Sequence, residues 1–256
     1  MIHRRLATTG VALVAALGLG LTGCGTTTDA GPGGDAAAPT STAPADALGE
    51  LTAAAQQLNK QSMRVTMTSA LLNGSGTMDP ATKTSDMTLD MGTLGKFQVL
   101  STGDDVYLKM SGGLLAQQSS SDKWMHLDMR KVSKDSPFNF MPDGDPGGVN
   151  KLVNSVVAVE RTAAGGYAGT LDYTRTMADD KDIAAFGDKA KAVPFTATVD
   201  AEGRLTELVV DTSTLVESFG KMSTRYADFG TPVTVRTPPA SEVQEMPTEL
   251  LDTFAG

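Results

Sequence analysis

Between Met63 and Met110 the apolar side chains recur at every second position. Met63, Val65 and Met67 alternate with Arg64, Thr66 and Thr68, and the run continues to Leu71. Met87, Leu89 and Met91 alternate with Asp86, Thr88 and Asp90. Phe97 with Val99, then Val106, Leu108 and Met110, repeat the pattern. Successive side chains of a strand point to opposite faces, so a period of two demands strands that are apolar on one side only. Turn residues separate the runs at Gly92-Thr93-Leu94-Gly95 and Gly103-Asp104-Asp105. Short amphipathic strands joined by tight turns form an antiparallel meander with one face to the core.

The same reading carries along the chain. Asp46 caps an opening helix with Leu48, Leu51, Ala55 and Leu58 on one face. Trp124–Met129 makes a further strand, and Pro137–Gly148 breaks the meander. Val149–Ser155 reads as a short helix, Val156–Thr162 and Tyr167–Tyr173 as strands, and Asp179–Lys191 as helical. Phe195–Asp200 and Arg204–Asp211 form a hairpin about Ala201-Glu202-Gly203. Arg225–Val233 closes the series, with a cap and tail beyond Pro238-Pro239. Ten or so antiparallel strands cannot stay flat, because strand twist coils a broad sheet. The expectation is an α+β fold: a strongly curved antiparallel sheet, a half-open barrel, with helices covering its concave face.

The beginning of the chain is of another kind. His3, Arg4 and Arg5 precede an apolar stretch, Leu6–Leu21, which is closed by Leu21-Thr22-Gly23-Cys24. A basic start, a short apolar core and small residues at the cut make a secretory leader. Some sixteen apolar residues, several of them glycine, fall short of the roughly 20 a membrane span needs. Cys24 directly after Leu-x-Gly resembles a bacterial lipobox, in which the cysteine is acylated and becomes the new N-terminus. Gly25–Pro44 holds Thr, Gly, Ala, Pro, Ser and a little Asp, which cannot bury enough surface to order itself. Fully extended, such a tether reaches about 65–70 Å. The expected organisation is a leader over 1–23, a lipidated N-terminus and tether over 24–45, and one domain over 46–256.

Charge and composition narrow the function. Removing the leader takes away Arg4 and Arg5 and no acid, leaving 19 basic against 30 acidic residues, a formal charge of −11. Such a surface gains nothing from nucleic acid, and membrane attachment must come through acyl chains on Cys24. Acylation of Cys24 leaves no thiol for disulfides, thiolate catalysis or zinc. One imidazole, His126, remains after the leader. It alternates with Trp124 and Asp128 opposite Met125 and Leu127, placing it in water or at a cavity lip. Ser120–Lys123 and Ser218–Lys221 match Ser-x-x-Lys, but no Ser-Asp-Asn follows and Lys83-Thr84-Ser85 comes before both, so the matches are chance. Asp143-Gly144-Asp145 runs into Pro146 and lacks the closing acid of a calcium loop. No enzyme activity, cofactor or metal is expected.

Methionine bears on what the hollow holds. Twelve remain after the leader, many at alternating positions, and their unbranched chains suit either acyl groups of varied length or the gap between sheet and helices. The candidate cavity-lining set is Met63, Val65, Met67, Leu71, Met87, Leu89, Met91, Phe97, Val99, Val106, Leu108 and Met110.

The lipobox Leu21–Cys24, the tether, the helix before Ser62-Met63-Arg64-Val65, Asp105–Lys109, Lys123-Trp124, Gly166-Tyr167, Asp200–Leu205, the run from Tyr226 to Val233, and Pro239 occur in an order that resembles the actinobacterial LppX/LprG lipoproteins. Those proteins share a LolA/LolB-like half-barrel, and the resemblance covers roughly residues 46–246. It implies a lipid or acylated glycolipid in the hollow, carried away from the cytoplasmic membrane; the tether and single domain suggest a monomer, and the lipobox places it on that membrane's outer face. It supplies no ligand motif that can be placed residue by residue. The alternative is an envelope interaction or chaperone module of the same fold, with a closed core and no lipid ligand.

Overall fold

The computed structural model describes residues 44–114, 122–132, 148–177 and 180–247. The leader, Cys24, the tether up to residue 43, Ser120, the break after Pro137 as far as residue 147, Asp179 and the last nine residues lie outside them. Twelve strands form one sheet. They are β1 (Met63–Thr68), β2 (Asn73–Asp79), β3 (Thr84–Asp90), β4 (Lys96–Thr102), β5 (Asp105–Ser111), β6 (Trp124–Asp128), β7 (Val156–Arg161), β8 (Tyr167–Leu171), β9 (Val193–Val199), β10 (Leu205–Asp211), β11 (Lys221–Ala227) and β12 (Val243–Glu245). Their spatial order is β12-β6-β5-β4-β3-β2-β1-β11-β10-β9-β8-β7, with no bond joining the two ends. The sheet is therefore a curved, unclosed half-barrel, as the alternation requires.

Two kinds of device curve it. Register slips between Val156 and Ala158 and between Leu205 and Glu207 kink the strands on one flank. On the other side, a Cβ on Gly76 of β2 would collide with the Asp86 carbonyl oxygen of β3, so only glycine lets those backbones close in. β2 is a strand that sequence reasoning passed over, because Asn73-Gly74-Ser75-Gly76 carries no large side chain to alternate.

Helix α1 (Pro44–Gln57) begins two residues before Asp46 and lies against β7, β10 and the short helix α2 (Val149–Ser155). Its buried face is Ala47, Leu51, Ala54, Ala55 and Leu58, spaced for one side of a helix. Leu48, expected on that face, is 37% exposed. The alanines displace it because small residues let the helix axis approach the sheet. Glu50 ties the helix down, accepting from the Tyr167 hydroxyl at 3.0 Å and pairing with Arg161. The expected helix over 179–191 is a single α-turn, α3 (Lys181–Ala185), capped by Asp180 and followed by a 3-10 turn.

Among the described residues the buried side chains form two clusters. The larger joins α1 to β1 and β7–β10, and the smaller joins Val99, Val106, Leu108, Met125, Leu127 and Met246. The tail departs from expectation. From the middle strand β11 the chain crosses to the far edge, where β12 pairs parallel with β6 and makes the sheet mixed. This crossing passes over the outer face of β5 and β6, since Thr237, Pro238 and Ala240 share a cleft with Tyr107 and His126. That cover explains why β6 is buried on both sides.

Candidate functional site

The concave side of β1–β6 is built in rows set by strand register. The row at the Thr68 end of β1 joins Met67, Gly74, Leu89, Phe97 and Met110. Next come Val65, Gly76, Met87, Val99, Leu108 and Met125, then Met63, Met78, Ser85, Ser101, Val106 and Leu127. Burial falls steadily across them. In the third row every side chain but Met78 is buried, with Ser85 and Ser101 among the buried. In the second, Val65, Val99, Leu108 and Met125 are buried, while Met87 is half-buried and touches both clusters. In the first, Met67, Leu89, Phe97 and Met110 are all half-buried. Their shared glycine, Gly74, lies beneath the tips of Met67 and Leu89, each 2.8 Å from where a Cβ would stand. The result is an apolar trough, packed at its floor and half-bare toward one rim.

Ten of the expected lining residues share this face, but they do not share one condition. Met63 and Val65 belong to the larger cluster, Val99, Val106 and Leu108 to the smaller, and Met67, Met87, Leu89, Phe97 and Met110 stay half-buried. Leu71 is not on the concave face. β1 ends at Thr68, and the Ser69 hydroxyl oxygen accepts the Leu72 N–H at 2.9 Å, closing a turn that leaves Leu71 57% exposed. Met91 also lies past its strand, its N–H donating to the Gly95 carbonyl at 2.9 Å. Met125 and Leu127, outside the expected lining set, belong to the face through their pairing with Leu108 and Val106. Tyr226, opposite Val65 on β11, completes it, and burial pushes its phenol up to about 12.

His126 stands on the outer face, away from the trough. Its Nε2 lies 2.8 Å from an Asp105 carboxylate oxygen and its Nδ1 2.9 Å from Glu245 of β12. Tyr107 packs beside it at 5.2 Å between ring centroids. Desolvation disfavours the charged ring, but hydrogen bonds to Asp105 and Glu245 outweigh it, and its pKa rises above the ordinary histidine value. With both ring nitrogens engaged by carboxylates, the imidazole clamps the tail strand and has no free nitrogen for catalysis or a metal. The cleft beside it is open and measures about 410 Å³. Trp124, on the same outer face, is buried and carries the Lys109 ammonium 5.7 Å above its ring. Among the described residues no cluster of three or more His, Cys, Asp or Glu is arranged to hold a metal.

Among the described residues the unclosed sheet presents an apolar trough with no convergent polar groups. No protein-family model matches the chain, and no curated protein does. Among solved structures it is similar to the lipoprotein LppX of Mycobacterium tuberculosis, at 14% identity and a TM-score of 0.46, covering 76% of this chain and 100% of that one. It is also similar to an uncharacterized conserved protein of Thermus thermophilus, at 13% identity and a TM-score of 0.40, covering 78% and 99% respectively.

Proposed function

We propose that this chain is a lipid-anchored extracytoplasmic carrier that holds acyl chains of a lipid or acylated glycolipid along the half-bare row of the trough and passes them through the cell envelope. The observation that carries the reading is the burial gradient. Met67, Leu89, Phe97 and Met110 form a continuous apolar strip that the fold leaves half uncovered, next to a floor that is closed. Each methylene laid on such a strip gains about 0.8 kcal/mol, so two acyl chains bind without any charged recognition group. The leader, Cys24 and the tether put the domain on the outer face of the cytoplasmic membrane, where such ligands are found. Holding is passive: the headgroup stays at the rim and no covalent step is required, so the chain is proposed to act without enzymatic activity or cofactor.

One observation favours the second reading, a closed interaction module. Met63, Val65, Val99, Val106 and Leu108 already pack as core, so the trough has no empty floor. Native mass spectrometry of the chain purified from a bacterial envelope, followed by organic extraction, separates the two. A co-purifying diacyl or triacyl species establishes the carrier. A clean apo mass that stays unchanged after incubation with envelope lipids assigns the module instead.

A further inference from the structure

The two ends of β1–β6 differ in chemistry. At the Thr68 end, three segments stand side by side: the turn 69–72 after β1, the turn 91–95 after β3, and 111–114 after β5. Strand register places all three at one rim, and Gly113 is pressed against the Leu94 backbone, so no Cβ fits between them. Each segment turns a leucine outward. Leu71 is 57% exposed, Leu94 39% and Leu114 55%. The Ser69 hydroxyl fixes the first turn, and the Asp90 carboxylate fixes the second by accepting the Gly92 N–H at 2.9 Å. None of the three segments contains Asp, Glu, Lys or Arg, in a chain with 30 acids. The flanking Asp90 and Lys96 neutralise each other at 3.2 Å. The opposite end of β1–β6 carries the Lys83–Asp104 and Asp128–Arg130 pairs, whereas beyond β1 the Thr68 end is itself charged through Lys221–Asp211.

We propose that the Leu71–Leu94–Leu114 rim docks into the surface of the bilayer that anchors the chain, so that the trough opens directly at the lipid surface. The proposal rests on the lipoprotein reading. The argument for a bilayer as occupant comes from the chain outside the described structure. A tether between Cys24 and Pro44 reaches about 65 Å if extended, well beyond the length of a seven-residue strand at roughly 3.3 Å per residue. It keeps the domain at the membrane without orienting it, and orientation then falls to whichever rim partitions. The leucine rim brings one flanking ion pair, Asp90–Lys96, to the lipid. The opposite end of β1–β6 would have to bury both Lys83–Asp104 and Asp128–Arg130, which lipid does not repay. The rim is also where the half-bare row ends, so docking puts Met67, Leu89, Phe97 and Met110 beside the acyl region.

The test uses the acylated chain reconstituted in vesicles of phosphatidylcholine and phosphatidylglycerol. With Cys24 acylated, a single new cysteine labels uniquely, at Leu94→Cys on this rim or Glu202→Cys on the other. An environment-sensitive fluorophore at position 94 is expected to shift blue and to be quenched severalfold more by spin-labelled lipid than one at 202. Adding Leu71→Ser and Leu114→Ser should abolish the difference, and Leu71→Phe with Leu114→Phe should enlarge it. Equal quenching at the two positions overturns the proposal. So does ready disulfide coupling between two copies of Leu94→Cys, which would assign the rim to a second copy. Absence of acyl mass on Cys24 overturns the anchor reading instead, and with it the reason for a bilayer as occupant.

Discussion

The two flanks of the sheet use the same concave surface differently. On β7–β10 it is covered: α1 packs on β7 and β10, and its Ala47, Leu51, Ala54, Ala55 and Leu58 share one buried cluster with Leu171, Val193, Phe195 and Leu205. On β3–β6 none of the described helices packs with comparable contact. Among the described residues Met246 of the tail, with Met129 and Val132, packs there, and Phe97 and Met110 of the rim row pack against the same cluster while staying half-buried. One alternating pattern therefore yields a closed core on the α1 flank and a half-buried row on the other. Packing stability resides in the first flank, and the strip proposed to hold acyl chains lies on the second.

Leu51→Ala tests the covered flank and carries the largest expected effect. The side chain is 2% exposed, and its removal leaves a cavity between helix and sheet. A loss of about 3 kcal/mol is expected, or roughly 6–12 °C in Tm for a domain of this size. Thermal unfolding followed by circular dichroism measures it. A loss below about 1 kcal/mol would mean that α1 is not what closes this flank.

Gly76→Ala probes the boundary between the flanks. The added Cβ meets backbone of β3, which cannot swing aside, so a cost of about 2–3 kcal/mol is expected. Gly74→Ala meets only the flexible ends of Met67 and Leu89 and should cost clearly less. Denaturant midpoints of the two variants give the comparison. Equal costs would show that the strands separate easily here and that the curvature does not depend on the glycine.

His126→Gln sharpens the difference in how the two covers are held, since the tail is clamped by charge where α1 is held mainly by packing. The folded pKa of His126 is raised, so its contribution is fully present below the unfolded value of about 6.5 and is lost as pH rises through the folded value. The gap in Tm between the parent chain and His126→Gln should be widest near pH ~5.5 and shrink on the alkaline side. Asp128 works in the opposite sense. Hydrogen bonds from Arg130 hold its carboxyl at about 2, so that contribution survives until strongly acidic pH and does not blur the histidine signal. A pH-independent gap would remove the ionic clamp from the account.

Much of this contrast could be read from residue order, and the rest could not, for definite reasons. The alternation identified ten residues of the concave face because side-chain direction in a strand is a local property. It misplaced Leu71 because the period was extended past the end of β1, where Ser69 had already turned the chain. β2 was invisible, since Gly74 and Gly76 serve backbone approach, which leaves no hydrophobic trace. β12 is three residues held by a partner strand more than a hundred positions earlier, and the partners of His126 lie 21 and 119 residues away. On α1, leucine was trusted above alanine, although close packing on a sheet favours the smaller side chain. Which half of the face would stay bare depends on where that one helix ends up, and spacing alone does not encode it.

The uncovered flank is tested by Leu89→Ser combined with Phe97→Ser. Both positions are half-buried and paired across β3 and β4, so the folded state loses little, about 1 kcal/mol or less at each. The double variant should melt within a few degrees of the parent, yet lose most of its co-purifying acyl ligand in native mass spectra, because two polar groups now interrupt the strip. Leu51→Ala should behave in reverse, less stable but still loaded per folded molecule. If Leu89→Ser with Phe97→Ser keeps its ligand while Leu51→Ala loses it, the acyl chains lie under α1 and the division between the flanks is the opposite of the one drawn from their burial.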